Sequence, residues 1–139
     1  MTLNIFCDGG ARGNPGPAAI GFIVTDDHHH LLHQRGEFIG ETTNNVAEYR
    51  AVLSALEWLI KNSKNWPLTT VNFFLDSVLV VNQLNGFFKI KSASLRELII
   101  QIKILEQQFA FPVNYTAVPR EKNFAADRLV NQTLDSILS

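Results

Sequence analysis

The stretch Leu3-Asn4-Ile5-Phe6-Cys7-Asp8-Gly9-Gly10 decides how the rest of the sequence is interpreted. Its first five residues place apolar side chains on both faces of an extended chain, which predicts a central strand of a sheet. Asp8 ends that strand, and two glycines follow it. A carboxylate at the edge of a core is costly unless something compensates its charge. The stretch therefore predicts both a central strand and a functional role for Asp8.

The pattern on either side of this strand predicts a mixture of strands and helices. Strand one and the strand that ends at Leu75 are expected to be parallel neighbours joined by a right-handed crossover. The other predicted elements are strands Ala18–Thr25, Leu31–Gly40 and Val113–Val118, helices from Thr43 to about Asn62, from Ser77 to Gly86 and from Ser94 to Phe109, and a last helix that Asn123 caps.

Composition and length narrow the protein class. The chain of 139 residues suits one domain, residues 1–139, and its 46% hydrophobic and 18% charged residues are ordinary for a folded protein. Cys7 is the single cysteine, so no internal disulfide can form. No apolar run approaches the roughly 20 residues that span a membrane, and the N-terminal residues lack the basic start of a signal peptide. We therefore expect a cytoplasmic monomer without a membrane partner.

The net charge of −1 argues mildly against a nucleic-acid partner, because such proteins are usually basic. If four acids bind divalent metal, their charges should be counted separately from the charge of the remaining surface. Without those four negative charges, the net charge of −1 becomes +3. This charge suits weak attraction to phosphate and not tight, salt-resistant binding.

Four acids lie where the pattern predicts a core face. Asp8 and Asp76 each follow an apolar strand, and Glu48 and Asp127 each begin the apolar line of a helix. The apolar residues that follow the two helical acids are Val52, Ala55, Leu59, Val130 and Leu134. Divalent cations compensate such carboxylates well, and two Mg²⁺ or Mn²⁺ ions about 4 Å apart can clamp a phosphoryl displacement. The competing interpretation is that each acid is a helix cap or an ion-pair partner.

Specific motifs surround these acids. Residues 8–17 read DGGARGNPGP, residues 42–49 read TTNNVAEY, Asp76 opens the dipeptide DS, and residues 118–127 read VPREKNFAAD. Across essentially the whole chain and in the same order, these blocks resemble type 1 ribonuclease H. The resemblance implies a ribonuclease H-like α/β fold, with a five-stranded mixed sheet in the order 3-2-1-4-5 and helices on both faces.

The resemblance also implies the activity. It implies endonucleolytic cleavage of the RNA strand of an RNA–DNA hybrid, leaving 5′-phosphate products. Two Mg²⁺ ions, or Mn²⁺ ions, would be held by Asp8, Glu48, Asp76 and Asp127, the four acids that the apolar pattern also singles out.

Substrate contacts are carried over by motif position. Gly9, Gly10 and Gly13 would let the backbone approach nucleic acid, Arg12 and Asn14 would contact the substrate, and Asn44 and Asn45 would contact base edges or the 2′-OH. Thr43 resembles the residue that holds a DNA phosphate. The alternatives are a plain turn for the glycines and helix capping for Thr43 and Asn44, and for the latter two we favour a mixture of roles.

Two departures from the common bacterial pattern stand out. Residues 77–92 are too short for a basic helical protrusion and offer only Lys89 and Lys91 beside Phe87 and Phe88, so the chain resembles the shorter archaeal-type members. Weaker substrate binding is expected, and the two phenylalanines would stack on the nucleic acid or pack in the core. No histidine follows His33. Arg120 occupies the corresponding loop, either as a catalytic contact or as a surface partner of Glu121.

Three functions compete. The first is a hybrid-specific endonuclease, the second a non-catalytic duplex-binding module, and the third a nuclease of the same fold acting on another substrate such as double-stranded RNA. All four acids are present, which argues against the second. The adjacent histidines His28 to His30 lie in a strand connection remote in sequence from the acids, and they predict a solvated turn rather than a metal site.

Overall fold

The five strands pair into one mixed sheet in this computed structural model, which describes residues 1–86, 89–90 and 92–139. The strands run in the spatial order β3-β2-β1-β4-β5. β1 is antiparallel to β2 and parallel to β4, which confirms the predicted crossover between them. The strands are β1 (Thr2–Ala11), β2 (Gly16–Thr25), β3 (Leu31–Thr42), β4 (Thr70–Leu75) and β5 (Val113–Ala117).

Helices cover both faces of this sheet. α1 packs on β1 and on α3, whereas α4 packs across β1, β2 and β3 on the opposite face. The helices are α1 (Asn44–Asn62), α2 (Val78–Leu84), α3 (Ala93–Glu106) and α4 (Phe124–Leu138), with 3₁₀ turns at Ser63–Asn65 and Arg120–Lys122. Within the described ranges, none of the helices has the length and apolarity needed to cross a bilayer.

β1 is buried on alternate residues, as its sequence predicts. Leu3, Ile5 and Cys7 lie in the main core beneath α1. On the other face, the Phe6 ring stacks on Phe74 with 4.9 Å between the ring centroids. Both faces are therefore apolar, which explains why this strand lies at the centre of the sheet.

β1 runs further than the sequence predicts. Asp8 does not end the strand, because the ladder with β2 continues to the pair Ala11–Ala18. The parallel ladder with β4 stops at the pair Phe6–Phe74. Asp8 therefore lies past the end of one ladder and inside the other, which holds its backbone firmly while leaving space beside it.

Two helix ends also differ from expectation. α3 ends at Glu106 rather than Phe109, because the last residues bond as a tighter turn, with Phe109 N–H donating to Glu106 O. Asn123 does not cap α4 with its side chain. That amide is buried instead and donates from Nδ2 to the Cys7 carbonyl at 2.8 Å.

Candidate active site

The four predicted acids line a single cavity of about 450 Å³. Asp8 reaches it from β1, Glu48 from α1, Asp76 from the end of β4 and Asp127 from α4. The β1–β4 pair brings Asp8 and Asp76 to the same edge of the sheet, because parallel strands end on the same side. The other lining residues are Gly9, Gly10, Ala11, Arg12, Asn44, Ser77, Arg120, Val130, Asn131 and Leu134.

Glu48 lies one turn before Val52 in α1, and Val52, Ala55 and Leu59 have no exposed surface. Its Oε2 atom is buried without a hydrogen-bond partner among the described residues. Burial raises the pKa of Glu48 to about 7, against the opposing effect of a hydrogen bond with Ser77. A buried carboxylate oxygen that lacks a partner is a ready acceptor for a cation.

Asp8 is the most strongly perturbed of these acids. Burial raises its pKa to about 8, and the nearby charges of Asp76 and Asp127 add to the shift. Asp8 also shares a hydrogen bond with the Asp127 carboxylate, and Glu48 adds a smaller repulsion. The raised pKa shows that the positive charge near Asp8 is too small to offset its burial and the neighbouring carboxylates.

Asp76 lies between opposing influences. Burial and the Asp127 carboxylate raise its pKa, whereas the guanidinium of Arg120 and the amide of Asn123 act to lower it. Burial dominates, so the pKa of Asp76 remains above its ordinary value. Arg120 therefore offsets only part of the negative charge at the site.

The donor set fits divalent cations. Carboxylate oxygens are the ligands that Mg²⁺ and Mn²⁺ prefer. A bound cation would lower the raised pKa values of Asp8, Glu48 and Asp76 and would satisfy the buried Glu48 Oε2. Among the described residues, no three His, Cys, Asp or Glu side chains stand close enough together to ligate one ion as placed. The arrangement is therefore an acidic cavity that cations can enter rather than a closed cage.

The glycines of the DGGARGNPGP loop have different structural reasons. Gly9 is buried, and a Cβ atom there would lie 2.2 Å from the Ala47 carbonyl oxygen, so the close approach of α1 explains it. Gly13 has a φ of 96°, which a turn residue with a side chain would rarely adopt. At Gly10 a Cβ would make an ordinary van der Waals contact with Val130 Cγ1 at 3.7 Å. Of these three glycines, Gly10 is therefore the one whose position would accept a small side chain without strain.

Polar residues of this loop are held by α1 and α4. Asn44 Oδ1 accepts from Ala11 N–H at 2.8 Å, and Asn14 Oδ1 accepts from Asn44 N–H at 3.0 Å. Arg12 is held by α4, since its Nη2 atom lies 2.5 Å from Asp135 Oδ1 and 3.4 Å from the Asn131 carbonyl. Asn44 and Arg12 both line the acidic cavity. The loop is therefore clamped at two points before any substrate binds.

A second cavity, of about 690 Å³, holds most of the remaining predicted contacts. Asn14, Thr43 and Asn45 line it together with Arg50, Ser92 and Ser94. The Thr43 hydroxyl accepts from Val46 N–H at 3.2 Å and so caps α1. Thr43 thus fulfils the capping role and also borders a polar cavity that is lined by one cation, Arg50, and one anion, Glu97.

Arg120 lies at the acidic cavity, exposed, in the turn before α4. Its charge acts on Asp76. Across the residues that the structure describes, the ion pairs do not include one between Arg120 and Glu121. The placement favours a contact at the site over the surface pair.

The histidines and cysteine do not join this site. His28, His29 and His30 are exposed in the β2–β3 turn, where His30 Nδ1 pairs with Asp26 at 3.0 Å. Cys7 is buried in the core. Lys89 is exposed, whereas the contacts expected of Phe87, Phe88 and Lys91 lie outside the described residues.

Two residues that hold segments of the site, without lining the acidic cavity themselves, escaped the sequence patterns. Asn123 has the residue type of a helix cap, and its contact with Cys7 spans 116 residues of sequence. Asp135 meets Arg12 across 123 residues. Local patterns do not report contacts between such distant positions. The one available sign was Asn123 itself, an amide four residues before Asp127 in the VPREKNFAAD block.

Comparisons with known proteins agree with this geometry. The family model described as "Reverse transcriptase-like" matches residues 6–133. The crystal structure of LC11-RNase H1 in complex with RNA/DNA hybrid superposes with a TM-score of 0.93, is 42% identical, and is covered to 99% on both chains. RNase H1 from the archaeon Halobacterium salinarum gives a TM-score of 0.89 at 34% identity, over 98% of this chain and 99% of that one.

A longer relative matches over only part of its length. A bifunctional protein of Mycobacterium tuberculosis is 42% identical over 137 residues, which are 98% of this chain and 36% of the relative. This chain therefore spans about a third of the length of the mycobacterial relatives that it matches. The family match over residues 6–133 and the near-complete superposition on RNase H1 structures show that the chain belongs to the type 1 ribonuclease H family.

Proposed function

We propose that this protein hydrolyses the RNA strand of RNA–DNA hybrids with two divalent metal ions and leaves 5′-phosphate products. The observation that carries the proposal is the convergence of Asp8, Glu48, Asp76 and Asp127 on one cavity in a chain 42% identical to an RNase H1 crystallised with hybrid. Magnesium is the proposed ion, with manganese as a substitute. We also propose a cytoplasmic monomer.

The four acids have one shared role in the proposed reaction, which is to bind the cations. Asp8, Glu48, Asp76 and Asp127 would hold the cations, which when bound supply an activated water and stabilise the leaving oxygen. The buried Glu48 Oε2 has no protein partner and is available for this purpose. Since burial and repulsion raise the pKa values of Asp8 and Glu48, these acids bind protons and cations competitively.

Substrate contacts extend from the acidic cavity to the second one. Gly10 leaves its backbone open to a sugar–phosphate strand. Asn14, Asn44 and Asn45 present amides toward a minor groove, where the 2′-OH distinguishes RNA from DNA. Thr43 and Arg50 border the second cavity, where they would contact a phosphate of the other strand, and Glu97 lines the same cavity. Arg120 would contact the phosphate or the leaving group beside Asp76.

A cleavage assay tests the proposal. End-labelled hybrid, duplex RNA and duplex DNA of one sequence are incubated with Mg²⁺ and either wild type or Asp8→Asn. We expect cutting of the RNA strand of the hybrid and a loss of at least about a thousandfold in Asp8→Asn, equivalent to about 4 kcal/mol of transition-state stabilisation.

The product ends and the other duplexes complete the test. Ligation of the downstream fragment without prior phosphorylation would report the 5′-phosphate. Cutting of duplex RNA alone would reassign the substrate. Absence of metal-dependent cutting of any duplex would overturn the proposal, and equal cutting by Asp8→Asn would show that the acids are not the site.

A further inference from the structure

Asn123 is the only polar or charged residue that is fully buried within the described part of the chain, with 1% of its surface exposed. It stands between the 3₁₀ turn Arg120–Lys122 and α4. Its side chain does not cap the helix that it precedes. A buried amide with no capping role needs another explanation.

The contacts of Asn123 reach two segments that carry acids. Nδ2 donates to the carbonyl of Cys7, the residue before Asp8, at 2.8 Å. The Asn123 carbonyl accepts from Asp127 N–H at 3.1 Å, which sets the first turn of α4. One residue thus joins β1 beside Asp8 to the turn of α4 that carries Asp127.

Packing alone is a poor account of this residue. Asn123 Oδ1 is buried with no hydrogen-bond partner in the described part of the chain, a cost that an apolar side chain of the same shape would avoid. Asn123 therefore has one unsatisfied oxygen, Oδ1, and one amide donor, Nδ2, that bonds the backbone carbonyl before Asp8. Groups that orient ligands in this way typically change metal affinity when they are removed.

We propose that Asn123 is a positioning residue that fixes the relative placement of Asp8 and Asp127 for divalent cations. The inference rests on the proposed function of those acids as metal ligands. Asn123 itself would not touch the metal or the substrate. Its loss should therefore weaken metal binding and turnover while leaving recognition of the hybrid intact.

The test compares Asn123→Ala with Asn123→Leu, which keeps the side-chain volume and removes the donor. Mg²⁺ and Mn²⁺ affinities are measured by calorimetry on the substrate-free protein, and hybrid affinity is measured in chelator. We expect metal affinity to fall about 10- to 100-fold in both variants. Hybrid affinity should be unchanged, and kcat should fall with little change in KM.

Ile102→Ala is the matched control, because Ile102 is fully buried in α3 and lies outside the acidic cavity. It should lose stability and keep its metal affinity. Wild-type metal affinity in a folded Asn123→Leu would overturn the inference, as would a fall in Ile102→Ala equal to that in the Asn123 variants. Failure of the wild type itself to bind metal and cut hybrid would instead overturn the proposed function.

Discussion

Asp8 and Glu48 show how a residue becomes reactive through its surroundings. Burial is the main cause of both pKa shifts, to about 8 and about 7. The surrounding carboxylates add repulsion that grows as each acid ionises. Without a cation, the folded protein therefore holds these protons more tightly than the unfolded chain does.

The sign of the resulting pH dependence follows. A carboxyl group with a raised folded-state pKa stabilises the fold fully below its unfolded pKa of about 4. That contribution is lost as the pH rises through the folded values of about 7 and about 8. The metal-free protein should lose about 1 to 3 kcal/mol of unfolding free energy between acidic and mildly alkaline pH.

Urea unfolding in chelator at a series of pH values measures this effect. Asp8→Asn should flatten the dependence, whereas Glu57→Gln, at an exposed position of α1, should leave it unchanged. Added Mg²⁺ should restore stability at alkaline pH in the wild type, because a ligand that binds only the folded state stabilises it. An identical slope in wild type and Asp8→Asn would show that this acid is not perturbed.

At the scale of elements, the residues at the start of α1 have two structural roles. Thr43 caps the helix through Val46 N–H, and Asn44 bonds the DGGARGNPGP loop. Glu48 follows one turn later. The start of this helix therefore aligns the acidic cavity with the polar cavity that contains Thr43.

Substitutions at Thr43 separate capping from substrate contact. Thr43→Ala should cost about 1 kcal/mol of stability, whereas Thr43→Gly should cost only a few tenths, because glycine is tolerated at a cap. If the hydroxyl also contacts phosphate, both variants should raise KM for hybrid by the same factor. Thermal unfolding and steady-state kinetics measure the two effects. A KM that rises only in Thr43→Ala would assign the residue to capping alone.

Periodicity was sufficient to predict most elements. Burial alternates from residue to residue along β1 and β4, and it recurs about every turn along α1 and α4. β2 is buried on both faces and was predicted from its apolar run. It did not predict that β1 continues to Ala11, since Gly9 and Gly10 resemble a break. The ladder with β2 overrides that local signal. Asn123 does occupy the N-cap position of α4, as predicted, but its side chain bonds the Cys7 carbonyl, which lies far away in sequence.

For the whole molecule, the position of α4 matters most, because it brings Asp127 to the cavity that Asp8, Asp76 and Glu48 also line. α4 lies against β2 at Gly21, where a Cβ would be 2.7 Å from the Ala126 carbonyl and 3.0 Å from Leu129 Cβ. The site depends on this close contact. Which acids would meet was predictable from the motifs, but the glycine that permits the meeting was not.

Gly21→Ala tests the dependence. The added methyl should push α4 away from the sheet and cost about 1 to 3 kcal/mol. Activity per folded molecule should also fall, because Asn123 and Asp127 move with the helix. Val24→Ala is the control, since Val24 packs in the core beneath α1 and not against α4. Equal specific activity in the two folded variants would show that the site tolerates movement of α4.

The ion pair between Arg12 and Asp135 predicts how the DGGARGNPGP loop responds to salt. The Arg12 side chain is 39% exposed and that of Asp135 70% exposed, so mobile ions can screen the pair. The buried Asn123–Cys7 bond is shielded from such ions. Added salt should therefore loosen the DGGARGNPGP loop while leaving the carboxylates in place. We expect a rising salt concentration to weaken substrate binding before it slows the cleavage step.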